Sequence, residues 1–144
     1  MIRFDFQRPF DFVPTIEHKQ WIKAIIRNEG KIPGDISYLF CDDEYLLKQN
    51  KRFLRHDTLT DIITFDGCMG AWVQGNILIS LERVGENATK YGVPMMDETL
   101  RVLAHGVLHL CGYKDKAEDE AILMRKKENE SISLFYECFY NRNQ

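Results

Sequence analysis

Two histidines four residues apart, His105 and His109, stand in the stretch His105-Gly106-Val107-Leu108-His109-Leu110-Cys111-Gly112-Tyr113-Lys114-Asp115. On an α-helix that spacing puts both imidazoles on one face, one turn above the other. Two neutral imidazoles so placed can hold one Zn²⁺, at N–metal distances of about 2.0–2.1 Å. Gly112 can take the left-handed conformation that ends a helix and turns the chain back. Asp115 follows that turn, where its carboxylate can reach the same ion; Glu118, slightly further on, is the alternative third ligand. Two His and one Asp leave a coordination position open for water, which marks a catalytic rather than a structural zinc site. The flanking Leu103, Ala104, Val107, Leu108 and Leu110 are apolar, and burying imidazoles among them costs free energy unless each finds a partner. The expectation is one zinc per chain. Its chemistry would be hydrolysis, because zinc brings the pKa of a bound water to about 7.

The elements that must position these residues follow from periodicity. Ile2 to Phe6 alternates apolar and polar residues, the period of a half-buried strand. Pro9 and Pro14 bracket a connection, Thr15 is an N-cap, and an apolar stripe from Ile16 to Ile26 predicts a helix ending near Gly30. His18 stands where a capping box has Glu. A strand over Asp35 to Cys41 and a helix capped by Asp42 or Asp43 and running to Leu54 come next. Asp61 to Asp66 and Gly75 to Ser80 read as strands, separated by a glycine-punctuated loop. Ser80 caps a helix over Leu81 to Tyr91, stopped by Gly92 and Pro94. The metal helix is predicted from about Asp97 to Cys111, with Met96, Leu100, Leu103, Val107 and Leu110 as its core stripe and Arg101, His105 and His109 along another face. Acids at Glu118, Asp119 and Glu120 followed by bases at Arg125, Lys126 and Lys127 suit a helix dipole. A further C-terminal helix carries Ile132, Leu134, Phe135, Cys138 and Phe139. The sum is one α+β domain: a small mixed sheet of about four strands, packed with about five or six helices, the metal site on a central one.

Composition bounds the rest. The chain has 144 residues, 44% hydrophobic and 28% charged, ordinary values for a single globular domain. No apolar run approaches the roughly 20 residues of a membrane span, and Met1-Ile-Arg-Phe-Asp-Phe has no signal-peptide core. Cys41, Cys68, Cys111 and Cys138 contain no C-x-x-C pair, which predicts free buried thiols in a reducing cytoplasm. The net charge of −3 argues weakly against a nucleic-acid partner. Lys48, Lys51, Arg52, Arg55 and His56 nevertheless cluster without an acid among them, either as a phosphate-facing patch or as a solvated helix face.

The motif also resembles a known signature. The YbeY family of bacterial rRNA-maturation endoribonucleases carries His-Gly-x-Leu-His-Leu-x-Gly-Tyr-Asp-His. Seven of its nine fixed positions match here: His105, Gly106, Leu108, His109, Leu110, Gly112 and Tyr113. Lys114 stands where the family usually has Asp, and Asp115 where it usually has a third His ligand. Asn50 and Arg55 resemble the family's Asn-x-x-x-x-Arg element. Leu59-Thr60-Asp61-Ile62-Ile63-Thr64-Phe65 is similar to its Pro-Thr-Asp-Val-Leu-Ser-Phe, and Gly75 to Ser80 to its Gly-Asp-Ile-Val-Ile-Ser. The similarity runs from residue 50 to about residue 130.

The resemblance implies a single YbeY-like metallohydrolase domain over residues 1–144. It implies a zinc-dependent, single-strand-specific endoribonuclease, acting in the cytoplasm on 16S rRNA 3′-end maturation and ribosome quality control, with RNA and the small ribosomal subunit as partners. Phosphodiester cleavage requires positive charge near its transition state, and Arg55 is the candidate because its planar fork suits phosphate oxygens. His56 could serve as acid or base, or be an exposed loop histidine. Lys114 could contact a phosphate but is read as facing solvent. Two other functions are weighed. A zinc peptidase of the His-Glu-x-x-His kind needs a Glu base where Gly106 stands. A non-catalytic ribosome-associated factor would need a closed, structural zinc.

Overall fold

The computed structural model describes residues 1–54 and 60–140. Four strands, β1 (Ile2–Phe6), β2 (Ile32–Cys41), β3 (Ile62–Asp66) and β4 (Trp72–Ser80), form one sheet in the order β1-β2-β4-β3. β1 and β4 pair with β2 in parallel, and β3 closes the edge antiparallel to β4. Among the described residues five α-helices accompany them: α1 (Ile16–Asn28), α2 (Asp43–Gln49), α3 (Leu81–Tyr91), α4 (Met95–Leu110) and α5 (Glu118–Leu134). α2 runs into a π-helical turn over Asn50–Leu54, and α5 into another over Phe135–Phe139. Among the described residues, no helix is long and apolar enough to cross a membrane.

Strand alternation decides the layers. Ile36, Tyr38 and Phe40 of β2 and Ile77 and Ile79 of β4 face one side, in a core completed by Trp21, Ile22, Ile25 and Ile26 of α1 and by Leu100, Leu103, Ala104 and Val107 of α4. Cys41, Leu78, Ile63 and Leu46 form a smaller cluster, with Leu46 supplied by α2. The Tyr38 hydroxyl, fully buried under α4, donates to the Leu103 carbonyl at 2.8 Å and so keeps its polar atom satisfied in the core.

Several boundaries differ from the sequence expectation, each for a local reason. β2 and β4 begin earlier, because Ile32 and Pro33 pair with Trp72 and Val73 before a register shift at Pro33/Ile36. The acidic-to-basic stretch and the C-terminal apolar stretch are one helical run, α5 and its π-turn, rather than two helices. α4 starts at Met95, and Met96 at its rim is 39% exposed instead of in the core stripe. The capping box at Thr15 forms after all, since the Nδ1 of His18 accepts from the Thr15 backbone N–H at 3.1 Å. All four cysteines are free, but only Cys41 and Cys111 are buried; Cys138 is exposed.

α4 is buried on every side except one. Val102, Leu103, Ala104, Gly106, Val107 and Leu108 are all buried, which leaves Arg101, His105 and His109 as the half-exposed face. Gly106 lets this helix lie against the sheet: a Cβ there would come within 2.9 Å of Ile77 Cγ2 and 3.0 Å of Ile62 Cδ1. A Glu side chain therefore has no space at position 106.

Candidate metal centre

One turn of α4 separates the two imidazoles, whose ring centroids lie 4.6 Å apart with the planes at 80°. The helix ends at Cys111, and Gly112 follows with φ +111°, a conformation that L side chains rarely adopt. That turn brings Asp115 back over the exposed face of the helix. Its Oδ2 lies 3.2 Å from His105 Nε2 and 3.4 Å from His109 Nε2. Donors held tetrahedrally around one ion at about 2.0–2.1 Å sit about 3.3 Å from each other. Both spacings match it. His105, His109 and Asp115 are the group among the described residues whose donor atoms gather in this way.

The second nitrogen of each ring is also committed. His109 Nδ1–H donates to the Tyr113 carbonyl at 2.9 Å, and His105 Nδ1–H to Glu128 Oε2 at 2.6 Å. Each bond fixes the tautomer that leaves Nε2 with its lone pair free for a metal. The donor set of two imidazoles and a carboxylate suits zinc among the common divalent ions. Glu118 is exposed and lies outside the group, so Asp115 is the carboxylate that the fold delivers. Lys114 is exposed to solvent, as expected, and Cys111 is buried. Arg55 and His56 fall in residues 55–59, outside the described residues.

Glu128 is the functional residue that sequence reasoning missed. It is 4% exposed and comes from α5, 23 residues beyond His105. Arg101, one turn before His105 on α4, donates to its Oε1 at 3.0 Å and to Asn129 at 3.2 Å. Burial pushes the Glu128 carboxyl pKa up, but the bond to His105 and its charge, the bond from Arg101 and the charge of Arg125 outweigh it and hold the group below its usual range. Burial pushes His105 down, and the carboxylates of Glu128, Asp61 and Asp115 together carry it above its ordinary value. Asp61, just ahead of β3, is raised chiefly by burial, as is Glu98 on α4. No spacing in the sequence ties Glu128 to the motif; the one hint is its place a helical turn beyond the buried Met124 on an otherwise charged helix. Glu128→Gln is expected to keep the fold yet weaken metal binding about 10–100-fold, the usual cost of losing a carboxylate behind a ligand His. Titration against a chromophoric chelator measures it, and unchanged affinity would remove Glu128 from the site.

The triad opens into a cavity of about 760 Å³. Its lining includes Asn50, Asp61, Glu98, Arg101, Lys116, Arg125 and Glu128, with Asn87 and Tyr91 from α3. Lys116 and Arg125 stand at the exposed rim.

A mixed α/β sheet backing a helix that presents a three-donor metal site to an open cavity defines this chain as a metal-site α+β protein of the hydrolase type. Its sequence goes further: the model of the family described as Endoribonuclease YbeY matches residues 6–135, and the chain belongs to that family. Among similar curated proteins named Endoribonuclease YbeY, one from Christiangramia forsetii is 53% identical over 128 residues, covering 88% of this chain and 90% of the relative. Another, from Flavobacterium johnsoniae, is 48% identical and covers 94% and 98%. A Thermotoga maritima protein solved in solution shares the fold, with a TM-score of 0.67 at 24% identity, over 95% of this chain and 91% of that one.

Proposed function

We propose that the chain is a zinc-dependent, single-strand-specific endoribonuclease, and that in the cytoplasm it acts on 16S rRNA 3′-end maturation and ribosome quality control. The observation that supports this most directly is the convergence of His105 Nε2, His109 Nε2 and Asp115 Oδ2 at 3.2 and 3.4 Å on the wall of an open cavity, in a chain of the YbeY family. These three side chains would hold the ion. A bound zinc ion would supply Lewis acidity and bring the pKa of a bound water to about 7.

The chain's own groups do the remaining work. Glu128 and the Tyr113 carbonyl orient the imidazoles and hold their Nδ1 protons. Arg101 offsets the buried charge of Glu128. Lys116 and Arg125 at the rim attract the phosphate backbone. Arg55 contributes the planar, two-pronged contact to phosphate oxygens whose charge rises in the transition state.

The peptidase alternative is weakened further by Gly106. The Glu base it requires has no space there, because Ile77 and Ile62 close that side of α4. A purely structural zinc fits poorly with three donors that face a cavity rather than a closed shell. The test offers purified protein a labelled single-stranded RNA and an unfolded protein, each with zinc and with a chelator. Cleavage of the RNA alone, abolished by the chelator, is expected. Intact RNA in the presence of zinc would overturn the reading and promote a binding role.

A further inference from the structure

The wall that α3 gives to the cavity carries chemistry that hydrolysis itself does not use. Asn87 and Tyr91 lie four residues apart on α3, so both face the same cavity as the metal triad. Asn87 is half-buried, and its amide makes no hydrogen bond to any described residue. An amide in that position, with no described partner to displace, can offer its donor and its acceptor to a ligand in the cavity. Tyr91 is 54% exposed at the last turn of α3, held in place by the left-handed Gly92 cap at φ +65°. Its ring is a flat surface with the Lys90 ammonium 5.4 Å from the centroid, and it lines the cavity together with the polar, two-faced Asn87 amide.

The cations of this cavity argue for what binds there. Arg101 is committed to Glu98, Glu128 and Asn129. Lys116 and Arg125 belong to the segment that follows the metal motif, and the α3 wall contributes the neutral pair Asn87 and Tyr91. A phosphate would find little compensation against that wall, with Asp61 and Glu98 also in the lining. A neutral, planar group with hydrogen-bonding edges fits it well.

We propose that Asn87 and Tyr91 form a nucleobase subsite: a base next to the cleaved phosphate stacks on the Tyr91 ring while the Asn87 amide bonds its edge. This rests on the RNA reading above. Stacking on an aromatic ring requires an unpaired base, so the subsite supplies a physical source for preference toward single strands. Asn offers a donor and an acceptor at fixed spacing, the pattern that matches the two-pronged edge of adenine.

Binding of short single-stranded RNAs, each with one abasic position, tests it by fluorescence anisotropy alongside cleavage. Loss of a stacked base is expected to weaken wild-type binding about tenfold at one position of the series. Tyr91→Ala should bind intact RNA about tenfold more weakly and lose nothing further on that abasic RNA, whereas Tyr91→Phe should behave as wild type because stacking needs the ring and not the hydroxyl. Asn87→Ala should flatten any preference among bases at the same position. A structural role for Tyr91 would instead lower affinity equally for intact and abasic RNA, and that result, or wild-type binding by Tyr91→Ala, overturns the subsite. RNA bound with this Tyr91 dependence but never cut would sink the nuclease and leave the subsite standing; RNA cut with no Tyr91 dependence would do the reverse. Absence of RNA binding overturns both.

Discussion

Purified His105→Ala and His109→Ala proteins should carry almost no zinc, against about one ion per chain in the wild type. The expectation follows from the donor count. Three protein ligands converge here, and alanine at either histidine leaves a two-donor site that cannot hold the ion. It also strands a buried partner: without the His105 ring, Glu128 loses its 2.6 Å bond and is left with Arg101 and, at 3.6 Å, Arg125. Elemental analysis of the dialysed proteins measures the loss, and a His105→Ala protein with full zinc would sink the site. Asp115 gives the graded companion result. Asp115→Ala should lower zinc affinity markedly, while Asp115→His should retain the metal and restore the three-His pattern that the family signature implies. Glu118→Ala should leave affinity unchanged, because Glu118 lies outside the converging donors.

Arg55→Ala should keep its zinc and its melting temperature yet cleave RNA roughly 10²–10³ times more slowly, the usual cost of removing one preorganised charge-stabilising group. Arg55→Lys should recover only part of the rate, since a point charge cannot copy a two-pronged contact to phosphate oxygens. RNA binding should weaken less than cleavage does, because a contact that strengthens in the transition state acts mainly on the rate. Single-turnover cleavage of a labelled single-stranded RNA, read with metal content and thermal melting, separates these effects. Wild-type cleavage by Arg55→Ala would take Arg55 out of the active site and leave the nuclease reading on the metal centre alone.

The sequence by itself determined what depends on short range. The four-residue spacing of His105 and His109, the glycine that turns the chain at position 112, and the carboxylate just beyond it place three donors together through local geometry alone, and the fold agrees. Alternation of apolar residues located β1, the Ser80 cap marked the start of α3, and the Asp42/Asp43 pair marked that of α2, with Asp42 the cap, because such signals depend on neighbours within a turn. Only the tertiary structure decided what lies across larger separations. Glu128 reaches His105 from a different helix, Asn87 shares a cavity with the triad, and Ile77 on β4 closes the space at Gly106. Such pairs carry no periodic signal, since packing of α3, α4 and α5 around the sheet brings them together and residue spacing does not. Strand ends escaped for the same reason: Ile32 and Trp72 are β residues only because they pair with each other.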